Sequence, residues 1–301
     1  MIETVYKKQV ALLLSVLPEV AKEKSFALHG GTAINLFVRE MPRLSVDIDL
    51  TYIPIEDRDT SLANIRMALA KIKTRIEKVV PDVRVIDRSE RGKLQISEAG
   101  TVIKLEVNLV GRGTLADPVE MPLCLRAQEE FEVFCSIQTV PFEQLYGGKI
   151  CAALDRQHPR DIFDVKYLLE TEGITPEIKK GFFLCLLSSD RPIHEIISPN
   201  LQDQRATLEN HFIGMSNEDF SYEEFETVRR RLIDTIHKSL TKEDKEFLLS
   251  VKNLEPDWSI YDFSHFPAII WKLQNLQRLK ENNPEKHFQQ SENLKKKLNS
   301  F

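Results

Sequence analysis

The chain has 301 residues, 42% hydrophobic and 29% charged, with 11 Gly and 14 Pro; these values suit a folded protein and exclude collagen-like, low-complexity and largely disordered classes. With 41 Lys and Arg against 46 Asp and Glu the formal net charge is −5, which argues against wholesale coating of nucleic acid by the surface. No apolar run approaches the ~20 residues of a membrane-crossing helix, and the length allows one large domain or two of ordinary size.

From about Glu3 to Lys24, Val10, Leu13, Leu14 and Leu17 recur at the spacing of one helical face. This apolar stretch has no small-residue cleavage site and reads as a first helix rather than a signal peptide. Pro18 marks a point where it kinks or ends. Ser25–His29 is a short strand stopped by Gly30 and Gly31, and Thr32–Glu40 returns to helical spacing through Ile34, Phe37 and Val38. Ser45–Ile53 (SVDIDLTYI) alternates strictly and predicts a strand. A charged amphipathic helix follows from about Ser61 to Val79, then strands at Val83–Asp87, Lys93–Ser97 and Thr101–Val110. Gly111–Glu130 reads as loop with short elements, and Phe131–Thr139 as a further strand. Beyond Pro141 the pattern is helical throughout, beginning with Phe142–Asp155 and Asp161–Glu170.

The expected fold is therefore α+β (mixed α/β). Residues 1–140 form an N-terminal half with a small mixed sheet, and residues 141–301 an all-helical C-terminal half, with no Gly/Ser linker between them. Cys124, Cys135, Cys151 and Cys185 form no C-x-x-C pair and read as buried reduced thiols of a cytoplasmic protein. From Trp271 to Phe301 seven Lys or Arg face three Glu, a local balance of +4, which reads as a solvated, fraying helix.

Asp47 and Asp49 lie two apart on a predicted strand, so both carboxylates leave the same face, about 6.5–7 Å apart. Val46, Ile48 and Leu50 take the other face. A rigid pair of oxygen donors suits a hard cation such as Mg²⁺. D-x-D alone is a common solvated strand end, but here Gly30-Gly31-Thr32 precedes it between a strand and a helix. Glycines there allow close backbone approach to a ligand, the helix start offers free N–H groups to a phosphate, and Thr32 adds a hydroxyl. The order brings a phosphate cradle next to a metal-binding pair, the division of labour that nucleoside triphosphate chemistry requires. Glu106 shares a polar strand face with Lys104 and Asn108 and is the candidate third acid. Further on, Lys149, Ala153 and Arg156 share a helical face, and Pro159-Arg160-Asp161 opens the next helix, where Asp161 is either an N-cap or a functional acid.

Taken together, HGGTAINL, RLSVDIDL, IKLEVNL, the K-I-x-A-A-x-x-x-R helix and PRDIFD resemble the AbiEii/AbiGii abortive-infection toxins, including the MenT toxins, of the DNA polymerase β-like nucleotidyltransferase superfamily. The resemblance covers about Ser25 to Leu169. It implies a nucleotidyltransferase-fold core and an enzyme that binds a nucleoside triphosphate with Mg²⁺ or Mn²⁺. Such an enzyme transfers a nucleotide to an acceptor, the 3′ end of transfer RNA (tRNA) above all, and releases pyrophosphate. It also implies a toxin–antitoxin or phage-defence setting, with a cognate antitoxin protein as partner. Carried over by position, Asp47, Asp49 and Glu106 are the metal-binding and catalytic acids. Lys149 contacts the triphosphate, and Asp161, with Asp164 as contender, is the acid of the last motif. Gly30, Gly31, Thr32, Ser45, Lys149 and Arg160 bind the nucleotide. Ser45 stands where some relatives are regulated by phosphorylation.

Three other readings share these residues. D-I-D-L-T also fits the opening motif of haloacid-dehalogenase-type phosphohydrolases, in which Asp47 would be a nucleophile. A non-catalytic nucleotide- or partner-binding module would keep the cradle without the chemistry. Nucleotidyl transfer to a protein or small-molecule hydroxyl would keep the chemistry and change the acceptor.

Overall fold

The computed structural model describes residues 4–301; Glu3, the expected start of the first helix, lies outside the described residues. Two compact units are formed. One holds the residues up to Leu145 together with Glu209–Asp219, the other Tyr146–Leu208 and Phe220–Phe301.

The first unit is built on α1 (Thr4–Ala21), β1 (Phe26–His29), α2 (Gly30–Ala33, running on as a π-helical turn through Val38), β2 (Asp47–Tyr52), α3 (Arg58–Val79), β3 (Arg84–Arg88), β4 (Lys93–Glu98), β5 (Thr101–Asn108), β6 (Val119–Pro122), α4 (Leu125–Phe131) and β7 (Ser136–Thr139). The strands make one sheet in the order β3-β4-β5-β2-β1-β7-β6, with β2–β5 and β1–β7 parallel and the other pairs antiparallel. Its alternation decides the layers. Leu28, Ile48, Leu50, Leu94, Ile96, Ile103, Leu105 and Val107 are buried, and helices α1 and α3 pack on the sheet. Helix α1 supplies Leu13, Val16 and Leu17, and α3 supplies Ile65, Leu69, Ile72 and Ile76. Asp57 caps α3, its carboxylate accepting from the Asp59 and Thr60 amides. Helix α1 continues through Pro18 to Ala21 and buries Val20: packing outweighs the one backbone hydrogen bond that proline removes.

The short elements of the stretch 111–130 are β6 and the start of α4. One expectation needs correction. The strand expected over Phe131–Thr139 begins only at Ser136, because α4 runs to Phe131 and the chain turns at Glu132 with φ 51°. A third finding concerns chain order. Glu209–Asp219 belongs to this unit: the Leu44 amide donates to Met215 O at 2.7 Å, the Ser216 hydroxyl donates to Pro42 O at 2.9 Å, and Arg43 and Ser216 form an isolated bridge.

The second unit is helical. It takes most of α5 (Phe142–Asp155), then α6 (Pro159–Glu170), α7 (Pro176–Ser188), α8 (Ile193–Ile197), the start of α9 (Arg205–His211), α10 (Tyr222–Ser239), α11 (Lys242–Lys252), α12 (Pro267–Asn282) and α13 (Pro284–Asn299). Phe183, Phe247, Tyr261 and Phe263 form an aromatic core with ring centroids 5.1–6.5 Å apart. Buried Lys179 is held by Ser239 O at 2.9 Å and Asp244 Oδ2 at 2.5 Å, and Tyr261 donates to the other Asp244 oxygen at 2.6 Å. Residues 271–301 do not fray. They lie in α12 and α13 and bury Lys272, Leu276, His287, Leu294 and Leu298, since leucines on the inward face outweigh the surrounding charge. No helix of the described residues is long and apolar enough to cross a membrane.

Candidate active site

The site grows out of β2. Alternation puts Ile48 and Leu50 in the core and leaves Asp47 and Asp49 half-buried on the other face. Antiparallel pairing sets His29 opposite Asp49, so the glycine turn after β1 lies against the second acid. Gly30 has φ +73°, and a Cβ there would meet Asp49 Oδ2 at 2.4 Å; glycine is needed both for the left-handed backbone and for the close approach. A Cβ on Gly31 would lie 2.8 Å from Arg43 Nη2 and 2.9 Å from Ser45 Oγ. The turn is thus a backbone surface pressed against a guanidinium, a hydroxyl and a carboxylate. Thr32 is fully buried. Its hydroxyl donates within the protein, to Asp47 O at 2.5 Å with Ser45 Oγ at 3.0 Å, so in this structure it fastens the turn to the start of β2 and offers no donor to a ligand.

Across the sheet the register builds a polar row. Asp49 stands beside Glu106, Glu106 beside Lys93 and Lys93 beside Arg88, while Asp47 stands beside Lys104 and Lys104 beside Gln95. Glu106 is adjacent to Asp49 as its parity suggested, but its carboxylate pairs with Lys93 Nζ at 2.9 Å. Among the described residues no group of three or more His, Cys, Asp or Glu is placed to hold a metal ion. In this structure the antiparallel β4 thus gives Glu106 a cation, while it stays next to Asp49 in the sheet. Next to the acids a cleft of about 250 Å³ is lined by Arg88, Arg91, Lys93, Leu94, Gln95, Lys104 and Glu106, four cations against one carboxylate.

Lys149, Asp161 and Asp164 come together in the helical unit. Lys149 Nζ lies 2.8 Å from Asp161 Oδ1 and 3.0 Å from Asp164 Oδ2, all three side chains being buried. Arg156 Nε adds a contact to Asp161 Oδ2 at 2.6 Å. Asp161 is not the N-cap of α6; His158 is, its Nδ1 accepting from the Arg160 amide at 3.1 Å. Arg160 itself is half-buried in the first turn of α6. Burial acts to raise the Asp161 pKa, but Lys149 and Arg156 outweigh it and hold the carboxyl well below the usual carboxylate range. A carboxyl depressed in this way contributes stability above the ordinary Asp pKa and loses it as pH falls towards the folded-state value. Lys149→Met is expected to cost about 3–5 kcal/mol by stripping the cation from two buried carboxylates. Urea unfolding at pH 7 and pH 4 measures this, and the wild-type advantage shrinks at the lower pH.

The AbiEii family model, described as nucleotidyl transferase AbiEii toxin, type IV toxin–antitoxin system, matches residues 11–275. The chain belongs to this family of nucleotidyltransferase toxins. No curated protein matches this AbiEii-family chain. Among solved structures it is similar to MenT4, a nucleotidyltransferase toxin from Mycobacterium tuberculosis H37Rv, at 14% identity and a TM-score of 0.58, with 90% of this chain and 92% of that chain covered. At that identity the likeness shows the fold.

In this AbiEii-family chain, sequence reasoning gave no role to two residues at the turn. Arg43, buried beside Gly31, sits in alternate register with Ser45, Asp47 and Asp49, a signal readable in RLSVDID. His29, opposite Asp49 with Nδ1 3.1 Å from Thr51 Oγ1, becomes visible only once β1 and β2 are paired.

Proposed function

We propose that this nucleotidyltransferase toxin transfers a nucleotide from a nucleoside triphosphate to the 3′ end of an RNA, with tRNA as the preferred acceptor and Mg²⁺, or Mn²⁺, as the cation. The observation that carries the RNA reading is the polar row of the sheet. An acid pair at β2 gives way, over one to three strand spacings of about 4.8 Å, to Lys104, Lys93 and Arg88, with Arg91 beside them, around a cleft. A small-molecule acceptor needs no such strip, whereas a polynucleotide is held by phosphate contacts while its end reacts. Family membership displaces the phosphohydrolase reading of Asp47.

Asp47 and Asp49 fit a hard divalent cation in donor chemistry. They are the residues that would hold it, and when bound it supplies charge neutralisation to the triphosphate. The Gly30-Gly31 backbone presents N–H donors where phosphate oxygens would approach. In the reaction the acceptor hydroxyl oxygen bonds to the α-phosphorus, the bond from that phosphorus to the β-phosphate bridging oxygen breaks, and pyrophosphate leaves with the electron pair. The hydroxyl proton passes to a carboxylate of this face. The roles proposed for Lys149, Asp161 and Arg160 rest on the family resemblance. An antitoxin counterpart follows from the type IV toxin–antitoxin description.

Incubation with each labelled triphosphate, a divalent cation and total RNA tests the reading. Label in RNA of tRNA size supports it; label only in protein or small molecules defeats the RNA acceptor, and no release of pyrophosphate defeats catalysis. Arg88→Glu with Lys104→Glu is expected to weaken RNA binding at least tenfold and to lower the salt dependence by about two counterions' worth, with triphosphate binding unchanged. Filter binding at several salt concentrations reads both effects.

A further inference from the structure

Two of the four buried lysines of the helical unit are matched by acids: Lys149 by Asp161 and Asp164, and Lys179 by Asp244. Lys252 and Lys272, only 4% and 9% exposed, make no ion pair among the described residues. Both line one cavity of about 240 Å³ walled by the end of α7, by α8 and by α11, α12 and α13, together with His194, Trp271, Asn275 and Gln290. Lys272 Nζ donates to Ser189 O at 2.5 Å and Arg191 O at 2.9 Å, leaving one of its three N–H donors open. Lys252 Nζ donates to Gln290 Oε1 at 2.9 Å, leaving two.

Burial first, and the neighbouring Lys272 second, push Lys252 down to about 8; burial also pushes Lys272 down to about 8, against the pull of Asp190 and Cys151. Asp190, the one carboxylate lining the cavity, is exposed at its rim. The guanidinium of Arg278 lies 5.8 Å from the centre of the ring of Trp271, one of the lining residues.

Two buried ammoniums in no ion pair, with three open donors on one cavity, are matched in charge by a dianion with tetrahedrally arranged oxygens. A carboxylate or a backbone phosphodiester brings one negative charge and leaves one lysine unanswered. We propose that this cavity binds a terminal phosphate, as inorganic phosphate or as the phosphomonoester of a small molecule, through Lys252 and Lys272. Every lining residue of the site belongs to the helical unit.

The test uses the full chain. Inorganic phosphate is titrated calorimetrically against sodium chloride of equal ionic strength, with adenosine monophosphate as a second arm. Saturable one-to-one phosphate binding that persists in the Asp47→Asn, Asp49→Asn double variant, and falls at least tenfold in Lys252→Met and in Lys272→Met, supports the proposal. The Met variants carry a second readout: without phosphate they melt above the wild type, because a buried unpaired charge is gone, and they lose the phosphate-dependent rise in Tm. Should Lys272→Met fail to fold, through loss of its contacts at the end of α7, Lys252→Met decides alone. Binding of adenosine monophosphate with the same lysine dependence assigns a phosphomonoester; phosphate binding alone assigns the free ion; both sustain the site. No saturable binding above chloride, or phosphate binding unaffected in Lys252→Met, overturns it.

Discussion

Asp49→Asn is expected to lower divalent-dependent pyrophosphate release by about 10³-fold, since the carboxylate's contribution to charge stabilisation is worth several kcal/mol in such a site. Asparagine keeps the shape of the side chain on β2, where Asp49 is half-buried beside the Gly30 turn and in register with His29 and Glu106. Folding should therefore survive, and an unchanged circular dichroism spectrum with a Tm close to wild type is part of the expectation. Asp47→Asn should behave alike, because Asp47 leaves the same strand on the same face. Glu106→Gln should cost far less than either, since its carboxylate is already engaged by Lys93 at 2.9 Å. Rates comparable to wild type in the Asp49 variant would remove the acid pair from the mechanism.

The largest structural effect is expected at a residue far from that chemistry in sequence. A Cβ on Gly147 would lie 2.2 Å from the Gly181 carbonyl carbon, 2.4 Å from the Phe182 nitrogen and 2.6 Å from the Gly181 oxygen. These are backbone atoms, so no side-chain rotation relieves the clash, and α5 and α7 must move apart. That separation would loosen Phe182 and Phe183, both fully buried. Gly147→Ala is expected to cost about 3 kcal/mol or more, the upper end of overpacking penalties, or about 6–12 °C in Tm for a unit of this size. Gly100→Ala is the comparison. Its φ is +81° but nothing lies within 4 Å of the added carbon, so only backbone strain of about 1 kcal/mol is expected. Similar Tm losses in the two variants would show that the α5–α7 crossing is not limited by Gly147.

Much of this architecture is legible in local pattern. Strict alternation through Ser45–Ile53 predicts β2 and the face on which its two acids sit, and the small residues of Phe142–Asp155 announce a helix that another element approaches closely. The patterns fail where the decisive neighbour is remote in sequence. Phe131, Val133 and Cys135 alternate like a strand, yet the chain turns at Glu132 and pairing with β6 begins only at Ser136. The parity of Glu106 was readable; its cation was not, because Lys93 reaches it through the antiparallel β4–β5 register. Thr32 shows the same limit. Its hydroxyl looks available in GGT, but the chain entering β2 supplies its acceptors. The basic C-terminal stretch reads as solvated because charge dominates its composition, while three leucines, one lysine and one histidine carry it into the core.

The return of Glu209–Asp219 to the first unit sets the order in which a ribosome can complete that unit. When Leu145 has been synthesised, the whole sheet and both acids of β2 already exist as chain, but the partners of Pro42, Arg43 and Leu44 are still more than sixty residues from emerging. Arg43 is the guanidinium that meets the glycine turn, so the entry to β2 stays unclamped until Met215 and Ser216 have been made.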